Sequence, residues 1–521
     1  MTASYQDPPR PWTRTSTVLL VLLALGACTT LFFWVLPIYD INDAANDASL
    51  YILCAKSIVS GEGYAYLGMP FTVRPPGLSL LLAPILALRG VDFHALNLFI
   101  SLWGVACVCM LYVYAHRWVG PWIALALAVL VWVTPGFQRL CNMPMSDVPG
   151  AALVLACLLV ERWTTKKQKV RREIVLGVAI ALAAYMRSVA VLLVPAIICA
   201  RVVVHARERS AEKWLVFLRR RALLFSATTV LVLLPWSIRD TLSRPDPPAD
   251  QSFLWSYSTA MWHADGGDPN SRRLTAQEIL ARPTLHSGAT LSVLGTNLGT
   301  PDGPTWSLWL GLAALSCLVV MLVRRSGAGE FFALAVVAVL SVYFAFQARL
   351  VLPVWLFALV GVADTLVWLL SKPFAPRIAR GAVAIALALL SISAGLVRYD
   401  AQKQELVWRP RASWPMSQLY FDAYRSMTDD FRAALAPDAV PASAIGWHNS
   451  VFLDQPVYSL TFTARRFATE AAVEALIDKY GINTVTLSKN VAADVFLMKY
   501  FKDKYGPATG TETNLVFRVR K

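Results

Sequence analysis

The sequence predicts an α-helical polytopic membrane protein of about 11 transmembrane helices, followed by a small C-terminal α/β soluble domain. Three observations predict it. Hydrophobic residues fill 56% of the 521 positions and charged residues only 16%, a balance too apolar for a water-soluble chain. The apolar residues come in blocks long enough to span lipid. Lys and Arg gather in the short connectors between those blocks, where they set topology. The net charge of +15 therefore bears on orientation in a lipid bilayer, and no nucleic-acid partner is expected. Cys28, Cys107, Cys109, Cys157, Cys199 and Cys317 all fall inside apolar blocks, so no disulfide framework is indicated.

The first block, residues 17–38, exceeds a signal-peptide core and reads as a retained anchor. Further blocks lie at 76–89, 95–115, 121–137, 147–162, 174–204, 222–238, 306–323, 330–346, 350–371 and 381–397. Basic clusters at Arg10 and Arg14, Arg117, Lys166 to Arg172, Arg201 to Arg221, Arg324 and Arg325, and Lys372 to Arg380 mark the cytoplasmic side. These clusters share one side only if block 76–89 does not cross and block 174–204 crosses twice. Block 76–89 opens with Pro-Pro-Gly and as a helix spans about 21 Å, short of a bilayer core of about 30 Å, which makes it juxtamembrane or re-entrant. Block 174–204 reads as a tight hairpin with Arg187 at its outer tip.

The N-terminus is then cytoplasmic. The first outer loop (39–75), the turn from Arg139 to Asp147, the large outer loop (239–306) and everything after Val397 lie on the outer, periplasmic face of the cytoplasmic (inner) membrane. The large loop, rich in Pro, Asp, Gly and Ser, is long enough to be a lid or substrate loop. Residues 1–397 form the membrane and catalytic unit and 398–521 an outer-face α/β domain. In the latter, amphipathic patterns at 419–435, 468–480 and 491–503 alternate with β-like runs at 443–447, 482–487 and 514–519.

Acidic groups concentrate just after the first block, as Asp40, Asp43 and Asp47 with Asn42 and Asn46. Asp47 precedes an amphipathic segment from Tyr51 to Val59. One reading is an N-capping aspartate; the other is a general base that takes the proton of an incoming hydroxyl nucleophile. Asp147 begins an outward-facing helix end, as a cap or as a second carboxylate for a substrate hydroxyl or a divalent metal ion. Arg187, Arg239 and Arg349 lie at the outer ends of apolar segments. They either snorkel to interfacial water or converge as a cradle for a lipid phosphate, through bidentate charge-assisted hydrogen bonds. His263, Asp265 and Asp268 match no established metal-ligand spacing, and His448 reads as structural. The chain has no Walker-type phosphate loop and no dinucleotide fingerprint, so a nucleotide-driven mechanism is not expected.

The string Asp47-Ala48-Ser49-Leu50-Tyr51, the run Gly61-Glu62-Gly63-Tyr64, and Arg74-Pro75-Pro76-Gly77 before a short apolar helix resemble the first outer loop of the GT-C superfamily of membrane glycosyltransferases. That group includes protein O-mannosyltransferases and the aminoarabinose transferases that modify lipid A. The Asp147 turn, Arg187 inside a split apolar run, Pro235-Trp236-x-x-Arg239 and Arg349-x-x-x-Pro353 are similar to the superfamily in the same order, over about residues 17–400. The resemblance implies a GT-C-like fold, a polyprenyl-phosphate-linked sugar donor, and an acceptor protein, lipid or glycan on the outer face. It places the catalytic carboxylate on Asp47, with Asp43 and Asp40 as fallbacks. Arg187, Arg239, Arg349 and Arg74 would bind the donor phosphate, and Asp147 and Tyr51 would assist the substrate or a metal. Two departures stand out: Ala48 follows Asp47 where the family often has an acidic pair, which leaves a divalent metal ion an open question, and Arg74 replaces the lysine of some members. Attack opposite the leaving phosphate would invert the anomeric carbon. The rival expectation is a polytopic transporter or flippase of lipid-linked sugars, which calls for ionisable groups near the midplane.

Overall fold

The computed structural model of the chain describes residues 11–35, 45–66, 68–166, 169–207, 222–243, 261–264, 272–298, 304–343 and 347–405, parts of 432–460, and residues 470–488, 492–510 and 514–519. Asp40, Asp43, Asp265, Asp268 and His448 lie outside these residues. The helices are α1 (Arg14–Trp34), α2 (Ala45–Val59), α3 (Gly77–Arg89), α4 (Phe93–Val119), α5 (Pro121–Val133), α6 (Pro135–Cys141), α7 (Asp147–Lys166), α8 (Val170–Met186) and α9 (Leu193–Arg207). They continue with α10 (Leu224–Leu242), α11 (Ala276–Gly295), α12 (Thr305–Arg325), α13 (Ala328–Val342), α14 (Leu352–Leu370) and α15 (Pro376–Glu405). A short hairpin, β1 (Ala65–Tyr66) with β2 (Met69–Pro70), follows α2.

Local chemistry sets the helix ends. Thr13 and Ser16 form a capping box at the start of α1, and Asp92 accepts from the Ala95 amide to start α4. Gly120, at φ 93°, ends α4 and hands over to Pro121 at the first turn of α5. Pro135 re-initiates the chain as α6, bent by 65° from α5. By length and composition, six described segments could cross a membrane, and α5 with α6 would make a seventh. Some of the others are shorter, such as the 17 residues of α8 and the 15 of α13.

Polar contacts sort the helix ends into two poles. At the far pole, Arg201 of α9 pairs with Glu161 of α7 (3.5 Å) and Glu173 of α8 (3.0 Å). There too Arg324 and Arg325 of α12 clasp Asp364 of α14 at 2.7 and 3.0 Å, and Ser16 Oγ of α1 lies 2.7 Å from His116 Nε2 of α4. The opposite ends of α7, α8 and α14 meet at the pole described below. Among the described residues, α7, α8 and α14 therefore run from one pole to the other.

Two expectations need correction. The 174–204 run does reverse at Arg187, where a 3-10 turn (Ser188–Leu192) separates α8 from α9, but it is not a tight hairpin. Helix α8 packs on α7 and α10, whereas α9 packs on α13. Gly177 explains part of this, since a Cβ there would lie 2.5 Å from the Phe225 carbonyl oxygen; the missing side chain lets α10 close on α8. The loop 239–306 also holds more regular structure than its composition suggested. Helix α10 extends to Leu242, and the 20-residue α11 starts at a Thr275–Glu278 capping box. Helix α11 lies against α12 so closely that a Cβ at Gly311 would overlap the Leu291 carbonyl, and Ser292 and Ser307 hydrogen-bond across the contact at 3.1 Å. Such small-residue crossings are typical of helices packed in lipid.

The C-terminal residues form a five-stranded sheet of order β4-β3-β5-β7-β6, from β3 (Pro441–Ser443), β4 (Tyr458–Ser459), β5 (Thr484–Ser488), β6 (Thr509–Gly510) and β7 (Asn514–Arg518). Strand β3 is parallel to β4 and β5, and the remaining pairs are antiparallel. Helices α16 (Glu470–Tyr480) and α17 (Ala492–Tyr505) help enclose a separate core of Val473, Ile477, Val485, Leu487, Leu497, Phe501 and Phe517. This unit touches the bundle through α2: Lys56 Nζ donates to the carbonyls of Val451 (3.2 Å) and Leu453 (3.4 Å).

Candidate active site

The site is assembled at the start of α2, where Asp47 occupies the first turn and the helix dipole favours a carboxylate. Beneath α2, Leu50, Cys54, Tyr64, Tyr66 and Phe71 form a small core that fixes the β1–β2 hairpin. Gly61 and Gly63 adopt φ of 84° and 79°, a left-handed turn that side chains resist, so the Gly-x-Gly spacing is a backbone requirement. The Tyr64 hydroxyl then donates to the Arg74 carbonyl at 3.1 Å. Pro75 and Pro76 lead into α3, which seats against the end of α8: a Cβ at Gly77 would lie 2.6 Å from the Tyr185 carbonyl oxygen. Tyr51, one turn past Asp47, places its hydroxyl 2.9 Å from Ser146 Oγ, tying α2 to the start of α7. Arg187 has extended backbone (φ −152°, ψ 116°) between α8 and the following turn, and Gly150 leaves room for its stem, since a Cβ there would lie 3.1 Å from the Arg187 Cβ. Arg349 sits on the 3-10 turn Ala348–Val351 ahead of α14.

These elements bring five charged side chains into one alternating ladder. Arg74 pairs with Oδ1 of Asp47, and Arg349 pairs with its Oδ2. The same guanidinium reaches Asp147 Oδ2 at 3.2 Å, and Arg187 closes the row on Asp147 Oδ1 at 2.6 Å. Arg349 Nε also donates to Gln347 Oε1 at 2.6 Å. The Asp147 side chain is 1% exposed and that of Asp47 17%, so Asp47 is the carboxylate that a substrate can reach. Burial alone would raise the Asp47 carboxyl, but Arg74 and then Arg349 outweigh it and hold it at about 2. Among the described residues, three guanidiniums against two carboxylates leave one surplus positive charge, suited to an anion.

Asp47, Arg74, Asp147, Arg187 and Arg349 are thus brought together, with Tyr51 beside them. Arg239 is not part of the ladder, contrary to the convergence expected of it. Its guanidinium donates to the carbonyls of Tyr64 (2.7 Å) and Phe71 (2.9 Å), pairs with Asp240 (2.9 Å) and lies 4.6 Å over the Trp236 ring. Helix α10 delivers it to the carbonyl-lined back of the hairpin, where backbone acceptors satisfy it. His263 forms an isolated bridge with Arg273. Among the described residues no three His, Cys, Asp or Glu side chains are placed to hold a metal ion, and Asp47 and Asp147 already share a cation, the guanidinium of Arg349. Sequence reasoning missed Gln347 and Ser146, neutral side chains whose roles appear only through their partners in space.

Residues 73–236 match the family of dolichyl-phosphate-mannose-protein mannosyltransferases, a stretch that takes in Arg74, Asp147 and Arg187. ArnT from Cupriavidus metallidurans bound to undecaprenyl phosphate superposes with a TM-score of 0.58 at 13% identity, over 97% of this chain and 98% of that one. The chain has the GT-C fold. Apo ArnT from the same organism gives 0.59 at 14% identity, over 96% and 97% of the two chains. A second GT-C structure, the archaeal oligosaccharyltransferase AglB from Archaeoglobus fulgidus with an inhibitory peptide and a dolichol-phosphate, gives 0.54 at 13% identity, over 91% of this chain and 69% of that one. Comparison with curated proteins finds no match. The GT-C likeness is therefore one of fold, spanning nearly the whole chain, and the ladder described above lies within it.

Proposed function

We propose that the protein is an integral membrane glycosyltransferase that moves a sugar from a polyprenyl-phosphate carrier to an acceptor protein, lipid or glycan. The observation that carries this reading is the ladder: one reachable carboxylate flanked by three guanidiniums at one pole of a GT-C bundle. Asp47 takes the proton of the acceptor hydroxyl, whose oxygen attacks the anomeric carbon from the face opposite the phosphate. The bond from that carbon to the phosphate oxygen breaks, the electron pair leaves on the phosphate, and the anomeric centre is inverted. The phosphate passes from one negative charge towards two, and Arg187, Arg349 and Arg74 are placed to stabilise the charge that builds. Asp147 aligns two of those arginines, and Arg239 holds the loop that presents Asp47.

Basic residues crowd the far pole, among them Arg117, Arg201, Arg324 and Arg325, which supports a cytoplasmic far pole and a catalytic pole on the outer face of the cytoplasmic membrane. The C-terminal unit, tethered to α2, then lies outside as well, and we assign residues 1–397 to the catalytic bundle and 398–521 to an outer domain. The ArnT and AglB structures hold undecaprenyl phosphate and dolichol-phosphate, which supports a lipid-phosphate donor here. The test is release of free polyprenyl phosphate from polyprenyl-phosphate sugars by the purified protein. Asp47→Asn is expected to lower the rate by about 10²–10⁴-fold, the span of general base catalysis, without lowering expression. Full activity in that variant removes the assigned base, and translocation of an intact lipid-linked sugar removes the transferase reading.

A further inference from the structure

The site contains a conflict. A general base needs a proton affinity matched to its task, yet each oxygen of Asp47 accepts from a guanidinium, Oδ1 from Arg74 and Oδ2 from Arg349. The pairing holds the carboxyl at about 2, which makes it a poor proton acceptor. Drawing one arginine off Asp47 would restore its proton affinity.

We propose that Arg349 makes acceptor activation conditional on the donor: the incoming phosphate draws its guanidinium away from Asp47, and only then can that carboxylate take a proton. This rests on the transferase reading above. Two features single out Arg349. It is the shared member of the ladder, bonded to both Asp47 and Asp147, so leaving Asp47 does not strand it. It rides on a four-residue 3-10 turn, whereas the carbonyl of Arg74 is held by the Tyr64 hydroxyl. Charge counting permits the move: with Arg74 remaining on Asp47 and Arg187 on Asp147, Arg349 can turn to the phosphodiester without leaving either carboxylate unpaired. Oδ2 of Asp47 is then free to meet the acceptor hydroxyl.

Among the described residues, the charged groups facing Asp47 are Arg74 ahead of α3, Arg349 ahead of α14 and Arg187 beyond α8, with Asp147 at the start of α7 reached through Arg349. Removing Arg349 from Asp47 and adding a phosphate both raise its proton affinity. The donor therefore binds first, and the base is inactive in its absence.

The experiment is calorimetry on the full chain in detergent micelles with undecaprenyl methyl phosphate, a phosphodiester that does not titrate in the working range. Repeating the titration in buffers of different ionisation enthalpy counts the protons taken up. The expected result is no uptake at pH 7 and about half a proton per site at pH 4, where a carboxyl returned to its ordinary range is half protonated. By linkage, the unmodified protein binds about twofold more tightly at pH 4 than at pH 7. Asp47→Asn abolishes both effects, and Arg349→Gln diminishes them because Asp47 is already partly released. Binding without uptake, equal affinity at the two pH values, or uptake that survives in Asp47→Asn overturns the conditional base while leaving the donor site standing. Failure of the unmodified protein to bind the phosphodiester at all overturns the transferase reading as well.

Discussion

Asp47 serves two purposes, as an ion-pair partner in the free protein and as the proposed base in the reaction. The first has a pH signature. Its carboxyl lies at about 2 in the folded protein against an ordinary value of about 3.9. Because the folded value is depressed, the stabilisation is fully present above about pH 4 and is lost as pH falls from there through about 2. Its size is roughly 2 kcal/mol. Thermal midpoints in detergent should therefore drop through that window for the unmodified protein, and the slope should flatten in Asp47→Asn. An unchanged slope in the variant would place the acid sensitivity elsewhere. Asp147, 1% exposed and paired with two arginines, belongs to the scaffold that aims Arg187 and Arg349.

Helix positions decide whether those side chains meet. Helix α3 must approach α8 closely enough for Gly77 to face the Tyr185 carbonyl, and this contact sets where Arg74 stands. Gly77→Ala forces α3 outward, with an expected loss of about 1–3 kcal/mol, read as a lower thermal midpoint. It should also weaken binding of a lipid phosphate, because Arg74 moves with α3. Lys56, in the last turn of α2, holds the Val451 and Leu453 carbonyls. Lys56→Met should speed limited proteolysis after α15 without altering lipid-phosphate binding; an unchanged digestion pattern would show that the tether contributes little.

Across the whole molecule, the two ionic poles are separated by the length of the bundle, so their energetics should separate as well. Asp364 is 2% exposed and balances both Arg324 and Arg325. Asp364→Asn leaves those guanidiniums without their carboxylate, at an expected cost of about 3–5 kcal/mol. Affinity for a lipid phosphate should be unchanged in the protein that still folds, and a large change would show that the poles are coupled.

Much of this architecture was legible in the chain. Blocks of apolar residues separated by basic connectors specify a multi-pass helical protein, because each segment is selected by lipid one at a time. Amphipathic helices at 470–480 and 492–505 and strands at 484–488 and 514–518 fall where the C-terminal periodicities pointed. Helix α11 was legible too, in the Thr275-Ala276-Gln277-Glu278 capping box, but the polar composition around it obscured the signal. Partner choice was not legible. Asp47 and Arg349 stand 302 positions apart, and nothing in either neighbourhood distinguishes Arg349, which joins the ladder, from Arg239, which spends its donors on backbone carbonyls. Hydropathy and charge act on each stretch as it meets lipid or water, so the sequence by itself determined the helices and the short segment that carries Asp47. Which guanidinium faces which carboxylate depends on how the helices pack on one another, and only the tertiary structure decided that.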